Sequence, residues 1–353
     1  MQIMSLITAL PGAAAQGLIW GIMAIGVYIT FRILDIADLT VDGTLCTGGA
    51  VCIMMMLSGH NVWVSMLVAT GAGLLAGLAT GIFHTFMGIP AILAGILTQL
   101  SLYSVNLKIM GKANQAINVD KFNLLVSLRR VKGVALTQNT LFIVAIMIII
   151  LIAVLYWFFG TELGCSLRAT GCNPSMSRAQ GINTDRNKVL GLMLSNAVVA
   201  LSGALLAQYQ GFADINMGRG AIVIGLAAVI IGEVIVSKIS RNFAVTLAGV
   251  ALGGVVYYFV YQLVIWMGLD TELLKMFSAL IVAVFLAVPY WKKRWFTGKK
   301  FGKKSAVTAV AVEGNIAADG ETTITGEETT SEEAAENVRN EAAVSPADEK
   351  KED

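Results

Sequence analysis

The sequence has little charge, little histidine, little cysteine and little proline, and each shortage excludes something. Asp, Glu, Lys and Arg make up 14% of the 353 residues and hydrophobic residues 56%, which is not the composition of a water-soluble globule. The two histidines and four cysteines form no metal pattern. Cys46, Cys52, Cys165 and Cys172 lack zinc-ligand spacing and read as reduced packing residues. No Gly-x-x-x-x-Gly-Lys-Ser/Thr loop occurs, so ATP hydrolysis by this chain is not expected. A Ser/His/Asp set and a His-Glu-x-x-His helix are absent too, which argues against an intramembrane enzyme. The start lacks a basic n-region, so the first apolar stretch reads as a span and not as a cleaved signal.

What is present is long apolar runs. Segments at about 6–31, 36–58, 61–83, 89–107, 140–160, 189–209, 218–236, 242–267 and 272–290 reach the roughly 18 to 20 residues a helix needs to cross a bilayer. The expected fold is an all-α polytopic membrane protein with about nine transmembrane helices in residues 1–291. A basic juxtamembrane segment follows at 292–304. Residues 305–353 hold 13 acidic and 3 basic residues and almost no large apolar ones. Such a tail cannot bury enough surface to order itself and is expected to be disordered.

The excess of Lys and Arg in short loops sets orientation. Arg168, Arg178, Arg186 and Lys188 in the 161–188 loop, Lys238 and Arg241, and the cluster from Lys292 to Lys304 all fall on one side, read as cytoplasmic together with the C-terminus. Lys112, Lys121, Arg129, Arg130 and Lys132 fall on the other. Either that loop is an exception to the bias, or one of the first four segments does not cross.

The 161–188 loop is a polar island between apolar runs. Within it Asn173 can accept from the first free amides of a helix, Pro174 suits the first helical position, and Gly181 suits the stop. A helix of about seven residues, Pro174 to Gln180, is too short to persist alone and is expected to dock against a soluble partner.

An internal repeat pairs Ala37-Asp38-Leu39-Thr40-Val41-Asp42-Gly43 with Ala213-Asp214-Ile215-Asn216-Met217-Gly218-Arg219. Five spans separate the copies, so the two halves would point in opposite directions, a plan common among transporters. Asp35, Asp38 and Asp42 stand near or inside the bilayer, where a charge costs at least about 2.5 to 3.5 kcal/mol unless it faces protein, water or an interface. Two readings remain for Asp38, Thr40 and Asp42: a helix break on a translocation path, or a turn in which Asp38 or Asp42 caps the next helix. Asp214 and Asn216 likewise read as path residues or as an outer turn. Glu233 is expected to pair with Lys238 or Arg241. Gly71, Gly73, Gly77 and Gly81 read as a close-packing face. The polar run Gln99, Ser101, Tyr103, Ser104 and Asn106 lines a cavity or bonds between helices.

These segments together carry a resemblance. Leu34 to Gly43, Leu201-Ser202-Gly203-Ala204-Leu205, Leu167 to Pro174 and Ala179-Gln180-Gly181-Ile182-Asn183 resemble the permease subunit of bacterial ABC importers of the branched-chain amino acid and ribose class. The closest subgroup is that of uncharacterised or aromatic amino acid-type permeases, and the likeness covers about residues 10–290. It implies that Asn173, Pro174, Ser175, Met176, Ser177, Arg178, Ala179, Gln180 and Gly181 form a coupling helix that enters a groove on an ATPase, with Arg168 beside it. It also implies that Asp38 to Gly43 border the pathway. The implied partners are a cytoplasmic ATPase dimer carrying ATP and Mg, an extracytoplasmic solute-binding protein, a second permease copy as a homodimer, and the bilayer of a bacterial plasma membrane. No cofactor on this chain and no nucleic acid are implied. The solute would be an amino acid, aromatic by the subgroup, moved by alternating access. The acidic tail and the cysteines of the island depart from the family pattern. The rival reading is an ion-coupled secondary transporter working through Asp35, Asp38, Asp42 or Asp214.

Overall fold

The computed structural model describes residues 2–119, 122, 124–131, 139–236 and 242–266, and positions 276, 280, 283 and 287. The expectations for Lys121, Lys132, Lys238 and Arg241, for most of the 272–290 span, for the 292–304 segment and for the 305–353 tail lie outside these residues.

Ten helices are described: α1 (Gln2–Tyr28), α2 (Thr40–Leu57), α3 (Val62–Thr85), α4 (Ala91–Met110), α5 (Thr140–Gly160), α6 (Glu162–Cys172), α7 (Pro174–Ala179), α8 (Thr184–Gln210), α9 (Ala221–Val236) and α10 (Phe243–Trp266). A π-helical turn, Ile29–Ile33, extends α1, and two short strands, β1 (Asn114–Ala116) and β2 (Phe212–Asp214), pair antiparallel. Seven helices are long and apolar enough to cross a membrane, whereas α9 has only 16 residues. The expected span at 218–236 therefore begins later, because residues 215–220 are a turn and not helix.

Side-chain bonds fix the directions of the helices. Ser195 Oγ donates to Gly26 O (2.8 Å), Ser202 Oγ to Ile19 O (2.7 Å) and Tyr209 OH to Gly12 O (3.1 Å), so α8 runs antiparallel to α1. Thr44 bonds Asn196 (2.7 Å) and Gln208 reaches Cys52 (3.5 Å), so α2 runs parallel to α8. Gly225 packs on Met23 and Val27, and Arg32 Nε meets Glu233 Oε1 at 2.9 Å, so α9 follows α1. The starts of α2 and α9 therefore face each other head to head. Asp42 closes the junction, its carboxylate accepting from the amides of Gly220 (2.9 Å) and Ile222 (3.0 Å).

This is an inverted repeat. Asp38 Oδ1 accepts from the amide two residues on, Thr40 (2.9 Å), and Asp214 Oδ1 does the same with Asn216 (2.7 Å). The pairs Asp38/Asp214, Ile19/Ser195 and Gly26/Ser202 have equal sequence separation, and the exchange carries the Ser195–Gly26 bond onto the Ile19–Ser202 bond. Asp42 and Gly218 are equivalent positions and touch each other, which puts the pseudo-twofold axis between them. Seven residues of similarity in sequence thus mark a relation that runs through α1–α3 and α8–α10.

Close approach of backbones joins the bundle at several helix crossings. Gly73, Gly77 and Gly81 face Asn196, Leu192 and Val189 of α8, Gly17 and Gly21 face α10, and Gly203 meets the backbone of Leu45. Gly71 has open space around it and is not part of that face. Gly203→Val is therefore expected to cut the yield of folded permease severely, since overpacking costs about 1–3 kcal/mol or more. Gly71→Val should leave it unchanged, and gel filtration of detergent-solubilised protein compares the two.

Gly95 lies against Leu39 and Thr40, and Gly43 against Gln99 and Leu102, so α4 runs parallel to α2. α1, α3 and α4 run the depth of the bundle, and the chain from Leu34, which packs on Gly191 near the island end, crosses as a turn followed by α2, so all four segments cross. Ile117 N donates to Gly211 O (2.9 Å), which fixes the segment after α4 at the end opposite the 161–188 island. Lys112 belongs to that opposite end, so its loop is an exception to the charge bias and not the result of a failed crossing. The outward faces of α3, α4 and α5 carry Leu67, Leu100 and Ile149, exposed as on helices that meet lipid.

Candidate functional site

At the island end, α5 turns directly into α6. Thr161 starts the helix by accepting from Gly164 N (3.4 Å) while donating to Phe158 O (2.6 Å). The sequence reading places no helix here, although a threonine followed by an acidic residue is a start signal. Three contacts hold α6 in place. Gly171 abuts the carbonyl of Ile33, Asn187 of α8 donates to Thr170 Oγ1 (2.9 Å), and Asn187 also reaches Ser166 (3.2 Å). Cys165 and Cys172 are exposed and unpaired, and Cys46 and Cys52 are buried.

The next helix follows its local signals closely. Asn173 Oδ1 accepts from Met176 N (3.0 Å), Pro174 is the first helical residue, and Gly181 stops the turn at φ +80°. Ser177 is buried, with its hydroxyl on Asn173 O (3.0 Å). Arg178 is anchored backward, donating from Nε to Thr184 Oγ1 (2.8 Å) with Asp185 at 3.8 Å. Pro174, Ser175, Met176, Ala179 and Gln180 are left outward, with Met176 61% exposed. A six-residue helix has little stability of its own, so these tethers keep it in register with α8.

Arg168 points the other way. Its guanidinium carbon lies 4.3 Å from the ring centroid of Phe243 and 5.3 Å from that of Phe159, a cation–π clamp between α6, α5 and α10. Its Nε is buried and has no hydrogen-bond partner among the described residues. The partners expected for Glu233, Lys238 and Arg241, lie outside the described residues. Among the described residues Glu233 pairs with Arg32, a partner brought close by the parallel course of α1 and α9.

The repeat Asp residues divide by burial. Asp38 is 2% exposed, and its Oδ2 accepts from Asn196 Nδ2 at 2.7 Å. Thr40 Oγ1 meets Thr80 Oγ1 (2.7 Å), and Thr80 donates to Thr98 (2.9 Å), so a run of buried hydroxyls crosses α2, α3 and α4. Asp38 and Thr40 are thus interior residues with their partners in place. Asp38 serves the start of its own helix, α2, and Asp42 serves the start of α9. The sequence alone points to capping of the next helix only. Asp214 is half-buried and accepts from Asn114 Nδ2 (3.2 Å), while Asn216 is exposed. Asp35 is exposed and holds a left-handed backbone, φ 57°. Of the polar run in α4, Asn106 is buried and donates to Gly43 O (3.5 Å), whereas Ser101 and Ser104 face outward. The sequence reading misses Asn196 and Arg219. Asn196 lies inside an apolar run, and a lone Asn there is a usable signal in hindsight because it must find a partner.

A helical membrane bundle built on an inverted repeat, with half-helices meeting at its centre and a helix pair projecting from one end, defines a transport permease. The chain belongs to the family described as the permease component of the branched-chain amino acid transport system, which matches residues 10–289. It is 38% identical over 272 residues to a tyrosine transport system permease protein of Clostridioides difficile, covering 77% of this chain and 88% of that one. It is 35% identical over 286 residues to an uncharacterized protein of Rickettsia prowazekii, covering 80% and 96%. A fructose import permease protein of Bifidobacterium longum is 26% identical over 248 residues, covering 70% and 68%. The chain is an integral membrane protein and the permease component of an ABC import system, a transport subunit.

Proposed function

We propose that this permease imports an amino acid of the aromatic class by alternating access, driven by ATP hydrolysis on a separate cytoplasmic ATPase dimer that grips α7. Two copies form the pathway, and a solute-binding protein delivers solute from outside. The observation that carries the reading is the pairing of family membership with an exposed six-residue helix, tethered at Asn173, Ser177 and Arg178 and presenting Pro174, Met176 and Ala179 outward. A docked helix transmits force only if its contacts differ in free energy between the inward-open and outward-open states. The tethers supply the rigidity for that, because motion of α7 must then move α6 and α8.

The ion-coupled alternative is not favoured. Asp38 is committed to Thr40 and Asn196, and Asp42 to the first amides of α9. The aromatic solute is supported by likeness to the tyrosine permease. Purification of this chain from its native membrane in mild detergent is expected to recover a soluble ATPase in equal amount, and reconstituted vesicles should take up L-tyrosine only with ATP. A chain that purifies alone and transports on a sodium or proton gradient would overturn the proposal.

A further inference from the structure

Residues 215–220 return from the end of α8 into the middle of the bundle. The amide of Gly220 binds Asp42, Gly218 packs on the Asp42 backbone, and Cys46 Sγ donates to Asp214 O at 3.4 Å. From Gly43 to the end of α2 at Leu57 is about 20 Å, and α9 covers about 24 Å in the opposite direction, at 1.5 Å per residue. Arg219, between Gly218 and Gly220, therefore starts at mid-bilayer depth. It is exposed, and so is its neighbour Asn216. The nearby carboxylates are spent on other groups: Asp42 on two amides, Asp214 on Asn216 N and Asn114. The ion pairs among the described residues, Arg32–Glu233 and Arg178–Asp185, do not include Arg219.

A cation exposed on one chain at that depth cannot face hydrocarbon and has to face protein or a water-filled cavity. We infer that Arg219, with Asn216, lines the translocation path and attracts the carboxylate of the passing solute. Lys112 is exposed beside the same turn, where Ile215 N donates to Ala113 O (3.0 Å), and extends the cationic strip toward the end opposite the island. The carboxylate part of the inference rests on the amino acid reading above, whereas the placement on a wet path does not.

The test uses Arg219→Cys in the full chain, with Cys165→Ser and Cys172→Ser to remove the exposed thiols, reconstituted with its ATPase and binding protein. A water-soluble thiosulfonate is expected to label Arg219→Cys at least tenfold faster than Ile149→Cys, a control near the centre of α5 that is 66% exposed. Equal slow labelling at both positions overturns the placement, whatever the solute. Uptake of L-tyrosine is expected to fall at least tenfold in Arg219→Cys with ATP hydrolysis intact. It should recover on modification with a cationic ethylammonium group and not with an anionic ethylsulfonate. Equal recovery with either reagent, or uptake unchanged by the substitution, overturns the carboxylate role. If the chain with Arg219 intact fails to transport tyrosine, the amino acid reading has failed, while the labelling result still decides the path.

Discussion

Asn196→Asp is expected to leave almost no folded permease in the membrane, and adding Asp38→Asn is expected to bring most of it back. Asn196 is fully buried near the middle of α8, and its Nδ2 donates to Asp38 Oδ2 at 2.7 Å and to Leu192 O at 3.0 Å, while its Oδ1 accepts from Thr44. Aspartate there turns the donor into a second carboxylate facing the first. Leaving a buried group without its hydrogen-bond donor costs about 1–3 kcal/mol, and more when it is charged, a large share of the roughly 5–15 kcal/mol that holds a typical protein together. In the double variant the two side chains trade places: the new amide on α2 would donate to the new carboxylate on α8, the Thr40 amide would keep its acceptor, and Thr44 would still donate. Only the bond to Leu192 O would be lost, a cost of about 1 kcal/mol. Asp38→Asn alone should be mild, because Asn196 can flip its amide and Thr44 can turn to donate only to Thr40 O, which it already reaches at 3.1 Å. Monodisperse yield in detergent for the three variants measures the coupling. A double variant no better than Asn196→Asp alone would mean that these two side chains do not hold α2 to α8.

How far the sequence goes can be judged from such residues. The α7 turn is legible to within one residue, because Asn173, Pro174 and Gly181 act locally and need no tertiary context. The repeat is legible for a similar reason, since Asp38 and Asp214 each bond an amide two residues on and both copies keep the residues for it. Depth is not legible. Hydropathy reads 218–236 as one span, but the chain enters as a turn and α9 starts near the centre, a difference set by Asp42 from another half of the fold. The pairing of Glu233 with Arg32 is not legible either, because it depends on the helix directions that bring α1 beside α9. Arg168 reads as a surface cation in a polar loop. Its aromatic neighbours Phe159 and Phe243 come from different helices and leave no local trace.

Met176→Asp is expected to lower ATP-driven uptake more than tenfold while leaving the permease folded. The side chain is 61% exposed on α7, so the bundle should not register the change. At a docked interface the same change puts a charge into a desolvated groove, where loss of an anchor costs about 2 kcal/mol or more, and each 1.4 kcal/mol is about tenfold in affinity. Methionine suits such a groove because its flexible thioether adapts as the partner moves between states. Asn173→Ala makes the complementary case. It removes the acceptor for Met176 N at 3.0 Å and should cost about 1 kcal/mol of local helix stability, so uptake should weaken severalfold while the docking surface keeps its chemistry. Measuring ATPase recovery and uptake together separates the two effects. If both stay at the level of the unaltered protein in Met176→Asp, α7 does not carry the coupling, and the exposed residues of α6, Leu163 among them, become the surface to test.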